Sequence, residues 1–504
     1  MPATLTDPWS YHVILHRLSV GMLLAVAHLL ACYLQWHVGI LLCSGTKAVD
    51  ASPRFAFADV LSDGMVLQAA PSFSVLWGRA PSFLGRMTVR IDGVEVLLDE
   101  AVQEQAWLRD NGSHFVTWHL ELPPQPAGGP HELQVDAEFW DESITLAGVL
   151  FGDVFICGGQ SNMQMGMSQA HRHDMADVTA AAADGALQNI RMLTVDFTAG
   201  APNLFPDSAQ ARMFYTDYTT EYHTLPLLHG WEPVLPFSYF GPPAANSTRE
   251  QTYLPQGFSI VCLMFGIETF QRAGGIRPVG LISASCGGSA IEYHMPHSGL
   301  VQCLHLAPPH SERLGYLPYD ILGNGTPHPL GRIPPGSDGI LFAHGIAPLS
   351  RMAVTAFLWY QGESNVLDPD TYQCLLAALI TSWRAAFPQP RHHNKHVLDS
   401  GSWSRGQQEV DGGETIFDGI RQTGTNATPF LMVQLAPNTH AEGLLVRQRQ
   451  AQLNVVRAGH IDNVAIVPAF DLGDPHSPSG AQHPRTKAQV ARRLAAAAQM
   501  LALM

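Results

Sequence analysis

Five short apolar runs in the later part of the chain, at residues 150–157, 279–284, 353–360, 430–434 and 464–470, most constrain its fold. Each is almost uninterrupted instead of alternating apolar with polar, the pattern of a strand covered on both faces. Between them lie segments with helical spacing at 258–273, 370–387, 446–458 and 486–504. In the first of these, Ile260, Leu263, Met264, Ile267 and Phe270 fall on one helical stripe. Such strands alternating with such helices build a parallel sheet with helices on both faces, so residues 149–504 are expected to form an α/β domain.

Two segments break the alternation. Residues 198–256, rich in Pro, Tyr and Phe, and 391–426, polar with Gly and His, are longer than ordinary connections and read as insertions. His392, His393 and His396 in the second have no flanking ligands and read as an exposed loop, so no metal is expected there. Upstream, residues 51–148 show short alternating runs divided by turn residues, with Asp92-Gly93 placed as a hairpin turn. A small all-β, sandwich-like accessory domain is expected there.

The first 50 residues are of another kind. Positions 18–43 are almost continuously apolar, Arg17 precedes them, and Ser44, Gly45, Ala48 and Ala51 follow. This is the layout of a secretory signal peptide, cleaved near 48–51, and the run is long enough to act as a membrane anchor if it is kept. Asn-x-Ser/Thr sequons at Asn111, Asn246, Asn324 and Asn426 agree with a secreted or lysosomal glycoprotein. Outside the leader, which holds Cys32 and Cys43, stand Cys157, Cys262, Cys286, Cys303 and Cys374. Their odd number allows one or two disulfides with a thiol left over, and the absence of any CxxC pair gives no sign of zinc. A net charge of −15 with no basic cluster argues against nucleic acid as a partner. No cofactor is indicated.

Open α/β sheets place their sites at the C-terminal ends of strands. There the chain carries Gly159-Gln160-Ser161-Asn162, then Ser285-Cys286-Gly287-Gly288-Ser289, then Gln361-Gly362-Glu363-Ser364-Asn365, and finally Asp471 to Asp474 leading to His483. A glycine turn after a strand lifts the next side chain clear of the sheet, so Ser161 is the candidate nucleophile. A serine hydroxyl needs a base and its oxyanion needs donors, roles open to His483 and to the glycine and amide groups of the other blocks. Met163 stands where the α/β-hydrolase elbow has its second glycine, which excludes that elbow. Cys286, with no base readable beside it, is taken as a filler.

Together, Gly159 to Met163, Gly287-Gly288, Trp359 to Asn365 and His483 to Lys487 resemble the signature blocks of the sialate O-acetylesterases, within the SGNH-type hydrolases. The similarity extends to Asp63 to Gln68, Leu150 to Val154 and Asp471 to Asp474 with Ser477-Pro478, covering nearly all of the chain from Arg54 onward. It implies a flavodoxin-like sheet with an accessory β domain, a secreted or lysosomal site of action, and removal of O-acetyl groups from sialic acids. It also implies Ser161 as nucleophile, His483 as general base and acid, and Gly287, Gly288 and Asn365 in the oxyanion hole, with Gln160, Gln361 and Gly362 lining the site.

Two departures stand out. The aspartate usual three residues before the histidine is Gly480 here, which leaves Asp471, Asp474, Glu363 or a backbone carbonyl to orient His483. Cys286 replaces the Trp usual before the glycine pair, and Glu292-Tyr293-His294 differs from the usual Glu-x-Trp. Acetylxylan or another acetylated carbohydrate is therefore an alternative substrate, and a catalytically impaired carbohydrate-binding glycoprotein is the alternative from another class.

Overall fold

The computed structural model describes residues 55–98, 101–107, 114–183, 185, 187–195, 227–234, 258–303, 305–306, 338–387, 427–437 and 442–501. The leader, the four sequons and most of both insertions lie outside these residues.

Among the described residues, every regular element before the α/β part is a strand. These are β1 (Ala56–Phe57), β2 (Val66–Gln68), β3 (Ser74–Ala80), β4 (Met87–Ile91), β5 (Val94–Val96), β6 (Ala101–Trp107), β7 (His114–Leu122) and β8 (Gly128–Ala137). β1, β3, β7 and β6 form an antiparallel sheet in that order. The Asp92-Gly93 hairpin is present, with Ile91 paired to Val94 across the turn.

The next strand, β9 (Glu142–Gly159), is 18 residues long and changes partners along its length. Its first part pairs antiparallel with β8, its middle pairs parallel with β2, and its last part enters the central sheet. The boundary expected between 148 and 149 thus falls inside one strand. Burial follows the same course: the N-terminal residues of β9 are exposed, and everything from Val149 to Gly159 is buried.

The rest of the sheet comprises β10 (Ile190–Val195), β11 (Leu227–Pro233), β12 (Val279–Ser285), β13 (Ala356–Tyr360), β14 (Phe430–Gln434) and β15 (Val464–Pro468). They run in the order β11-β10-β12-β9-β13-β14-β15, all parallel except β11 at the edge. β11 lies within the segment read from sequence as an insertion. From β9 the chain builds first toward β12 and then toward β13, so the strand order reverses between β9 and β13. A crevice opens at such a point at the carboxyl ends of the strands.

The helices are α1 (Ser161–Gln164), α2 (Arg172–Ala183), α3 (Ile260–Arg272), α4 (His297–Leu300), α5 (Pro369–Ala386), α6 (Glu442–Arg457) and α7 (Lys487–Met500). Alternate residues of each strand feed opposite cores. Val154, Ile156, Phe357, Trp359 and Phe430 join one core with α5 and the N-terminal strands. Phe155, Cys157, Leu358 and Leu431 join the other with α3 and α7. Helix ends are fixed locally: Ser259 Oγ caps α3 by accepting from Cys262 N, and Asp368 caps α5 ahead of Pro369. Disulfides Cys157–Cys262 and Cys303–Cys374 cross-link the chain and leave Cys286 as the free thiol among the described residues. The first of them ties β9 to α3 four residues before Ser161.

Candidate active site

Register brings three of the expected blocks side by side. Gly159 pairs with Ser285 of β12 on one side and with Tyr360 of β13 on the other, so the residues after all three strands emerge together. Gly159 has φ +138, and a Cβ there would sit 2.2 Å from the Tyr360 carbonyl oxygen. Only glycine lets the neighbouring strand approach this closely. The chain turns at Gln160 and Ser161 becomes the first residue of α1, half-buried. Gln160 is buried and its Oε1 accepts from the backbone N–H groups of Gly362 and Ser364 at 3.3 and 3.1 Å, tying the serine turn to the block after β13.

His483 comes from the loop between β15 and α7, and its Nε2 lies 2.8 Å from Ser161 Oγ. Its Nδ1 lies 2.8 Å from the Ser479 carbonyl oxygen. A carbonyl only accepts, so Nδ1 carries the proton and Nε2 keeps its lone pair for the serine hydroxyl. The loop is closed by its own bonds. Ser477 Oγ donates to the His483 carbonyl at 2.6 Å, and His483 N donates to the Gly480 carbonyl at 2.9 Å. Burial is the main cause that holds the His483 pKa below the ordinary histidine value; the Ser479 carbonyl works against it and the nearby Lys487 charge works with it. The imidazole is therefore neutral and able to accept a proton at neutral pH.

None of the three carboxylates considered for orienting His483 does so. Asp471 is bonded to Arg493 at 2.6 Å, and Asp474 is held by Arg485 at 2.6 and 3.0 Å, each with its pKa lowered chiefly by its arginine. Glu363 Oε1 instead accepts from Asn162 Nδ2 at 2.6 Å. Spacing in sequence could not reveal this, because the orienting group is a main-chain carbonyl whose direction depends on the loop's fold.

The expected oxyanion donors have other partners here. Gly287 packs against Ser161, but its N–H donates to Gln164 Oε1 at 2.7 Å. Gly288 is exposed. Asn365 Oδ1 accepts from Ile291 N and from Gln361 Nε2 at 3.0 and 2.8 Å, while its Nδ2 gives one hydrogen to Glu292 Oε2 at 2.9 Å. A primary amide has a second hydrogen to offer, so Asn365 retains donor capacity. Cys286 is buried, and burial pushes its thiol up to about 12, which removes it as a nucleophile at neutral pH.

Known proteins are similar to this chain over most of its length. The sialate O-acetylesterases of Pongo abelii and Homo sapiens are each 29% identical over 463 residues, covering 90% of this chain and 72% of theirs. That of Rattus norvegicus is 28% identical over 482 residues, covering 90% and 75%. The chain is similar to the sialate O-acetylesterases along nine-tenths of its length. No protein-family profile matches it. Among solved structures, a carbohydrate acetylesterase from Xanthomonas citri superposes with a TM-score of 0.55 at 23% identity, covering 89% of this chain and 75% of that one, a likeness of fold.

Sequence reasoning missed the contributions of Ser479, Asn162 and Lys487. Asn162 Oδ1 accepts from Lys487 Nζ at 2.5 Å, and its Nδ2 donates to the Gln482 carbonyl at 2.9 Å as well as to Glu363. The presence of both Asn162 and Lys487 within the recognised blocks was the available signal. Among the described residues no cluster of His, Cys, Asp and Glu could hold a metal ion.

Proposed function

We propose that this protein is a metal-independent serine esterase that hydrolyses O-acetyl groups on sialic acids. The observation that carries the reading is the Ser161–His483 contact at 2.8 Å, with the histidine tautomer fixed by the Ser479 carbonyl. Ser161 Oγ attacks the acetyl carbonyl carbon as its proton passes to His483 Nε2. Collapse of the tetrahedral intermediate breaks the bond to the sugar oxygen, which takes the proton from His483. Water, deprotonated by the same nitrogen, then attacks acetyl-Ser161, and collapse releases acetate as His483 returns the proton to Ser161 Oγ. The second amide hydrogen of Asn365 and the main-chain N–H groups around Ser161, Gly287 and Gly288 supply the oxyanion hole, with Gln164 Oε1 giving way at Gly287. The carbonyl replaces the carboxylate in setting the tautomer, although it offers less stabilisation to the imidazolium.

Replacing Ser161 by Ala and assaying p-nitrophenyl acetate tests the mechanism. Loss of the nucleophile is expected to lower kcat by roughly 10⁴-fold or more, and undiminished turnover overturns the proposal. A fluorophosphonate that labels Ser161 argues against an inert carbohydrate-binding protein. The second reading, an esterase for acetylxylan or another acetylated carbohydrate, draws support from Cys286 and His294 at positions where the resemblance leads one to expect tryptophan. Acetate release from 9-O-acetylated sialic acid and from acetylxylan, measured side by side, separates the two.

The strand order β12-β9-β13-β14-β15 supports a flavodoxin-like SGNH sheet, with β1 to β8 as its accessory region. The apolar N-terminal run and the two disulfides support passage through the secretory pathway, where such bonds form and persist.

A further inference from the structure

A lysine with no exposure to water is costly unless its charge and donors are used. Lys487, the first residue of α7, has 0% exposure. Its Nζ donates to Asn162 Oδ1 at 2.5 Å and lies 5.2 Å over the ring of buried Tyr360. Glu363 is half-buried as a residue, but its Oε2 is sheltered from solvent and its Oε1 accepts from Asn162 Nδ2 at 2.6 Å. The other hydrogen of that Nδ2 goes to the carbonyl oxygen of Gln482 at 2.9 Å. Asn162 is itself 1% exposed. One side-chain amide therefore joins the serine turn, the block after β13, the histidine loop and the start of α7.

The connection has a specific geometry. Asn162 directly follows Ser161, and Gln482 directly precedes His483, so a single side-chain hydrogen bond ties the residue after the nucleophile to the peptide unit that leads into His483. We propose that Asn162, gripped by Glu363 and the buried Lys487, is the positioning residue that holds the His483 loop against Ser161, while the Ser479 carbonyl sets the tautomer. Glu363 acts on His483 through Asn162 and the backbone, not by touching the ring. The inference rests on the serine-esterase reading above.

Charge gives a second handle. Lys487 is faced by Glu363 from the block after β13, by Tyr360 from the strand itself and by His483 from its own loop. Burial is what pushes the Lys487 pKa down to about 7, against the pull of Glu363, and burial likewise raises Glu363. Removing the lysine leaves a carboxyl group that can take up a proton and stay buried as a neutral acid. It also removes a positive charge that helps keep His483 unprotonated, so the histidine pKa rises.

The experiment is steady-state kinetics on the full chain with p-nitrophenyl acetate across pH. Asn162→Ala is expected to lower kcat by about 100-fold, the scale of a misplacement of roughly 1 Å, with KM changed little. Glu363→Ala is expected to show the same loss, and Glu363→Gln, which keeps the accepting oxygen, to recover most of it. Lys487→Met is expected to move the acid limb of kcat/KM to higher pH, a shift that loss of packing alone would not produce. A kcat within twofold of the parent for Asn162→Ala, or an unmoved acid limb for Lys487→Met, overturns the inference. If Asn162→Ala does not fold, Glu363→Ala beside Glu363→Gln decides in its place, and equal kcat in those two variants overturns the inference. Ser161→Ala run beside them separates the cases: retained turnover there refutes the esterase reading, whereas an inactive Ser161→Ala beside a fully active Asn162→Ala refutes only the positioning role.

Discussion

Installing the missing aspartate, Gly480→Asp, gives the sharpest test of how His483 is oriented. Gly480 has φ +90, a backbone region that an L side chain enters at a cost of about 1–2 kcal/mol. Its added Cβ would stand 2.8 to 3.0 Å from the amide end of Gln482, a flexible group that can swing aside. The larger effect is on the turn. Gly480 N donates to the Ser477 carbonyl, its own carbonyl accepts from His483 N, and its peptide bond to Ser479 sets the direction of the carbonyl that faces Nδ1. Relaxing φ away from +90 rotates that peptide and turns the acceptor off the ring. The substitution is therefore expected to lower the thermal midpoint by a few degrees and to reduce kcat, instead of building a better triad. Differential scanning calorimetry and p-nitrophenyl acetate kinetics on the same preparation measure both. A variant with raised kcat/KM and an unchanged midpoint would show that the loop accepts a carboxylate behind His483, and the reasoning from the carbonyl would be wrong.

Because burial depresses the His483 pKa, its neutral form persists to lower pH, and the acid limb of kcat/KM is expected below the ordinary histidine value of 6.5; a limb above 6.5 refutes this. Cys286→Ala is expected to keep kcat within about threefold, since a buried thiol at about 12 is not an active nucleophile, and iodoacetamide is expected to modify Cys286 only after unfolding, as peptide mapping can show. The Cys157–Cys262 bond closes a loop across 105 residues, so replacing both cysteines by Ala is expected to cost up to about 4–5 kcal/mol and to lower the melting temperature. An unchanged thermal melt with and without reductant would count against that contribution.

The central sheet was legible because its strands are buried on both faces and carry uninterrupted apolar runs: 279–284 and 430–434 match β12 and β14 within a residue. β10 escaped because Arg191 and Thr194 interrupt its apolar run, and β11 because it lies in a segment whose composition resembles a loop. The boundary placed at 148 followed a change of pattern, from alternating to continuous. That change is real but marks where β9 goes from half-covered to fully covered, not where an element ends. In the site, Ser161 and His483 could be found because a nucleophile and a base need particular side chains. The group behind His483 could not, since any residue carries a carbonyl. Glu363 was noticed for its chemistry, but its bond to Asn162 depends on a contact 201 residues apart in sequence.

The continuity of β9 bears on how this protein could be cut or recombined. A shortened chain begun at residue 142 would strip β2 and β8 from the same strand that presents Ser161, baring main-chain donors and acceptors along a strand edge. Such edges invite pairing with other chains. The upstream strands are thus not a cassette to be exchanged at will: a graft there must reproduce the pairing of Val66 with Leu150 and of Leu133 with Leu146, or the nucleophile's own strand loses its neighbours.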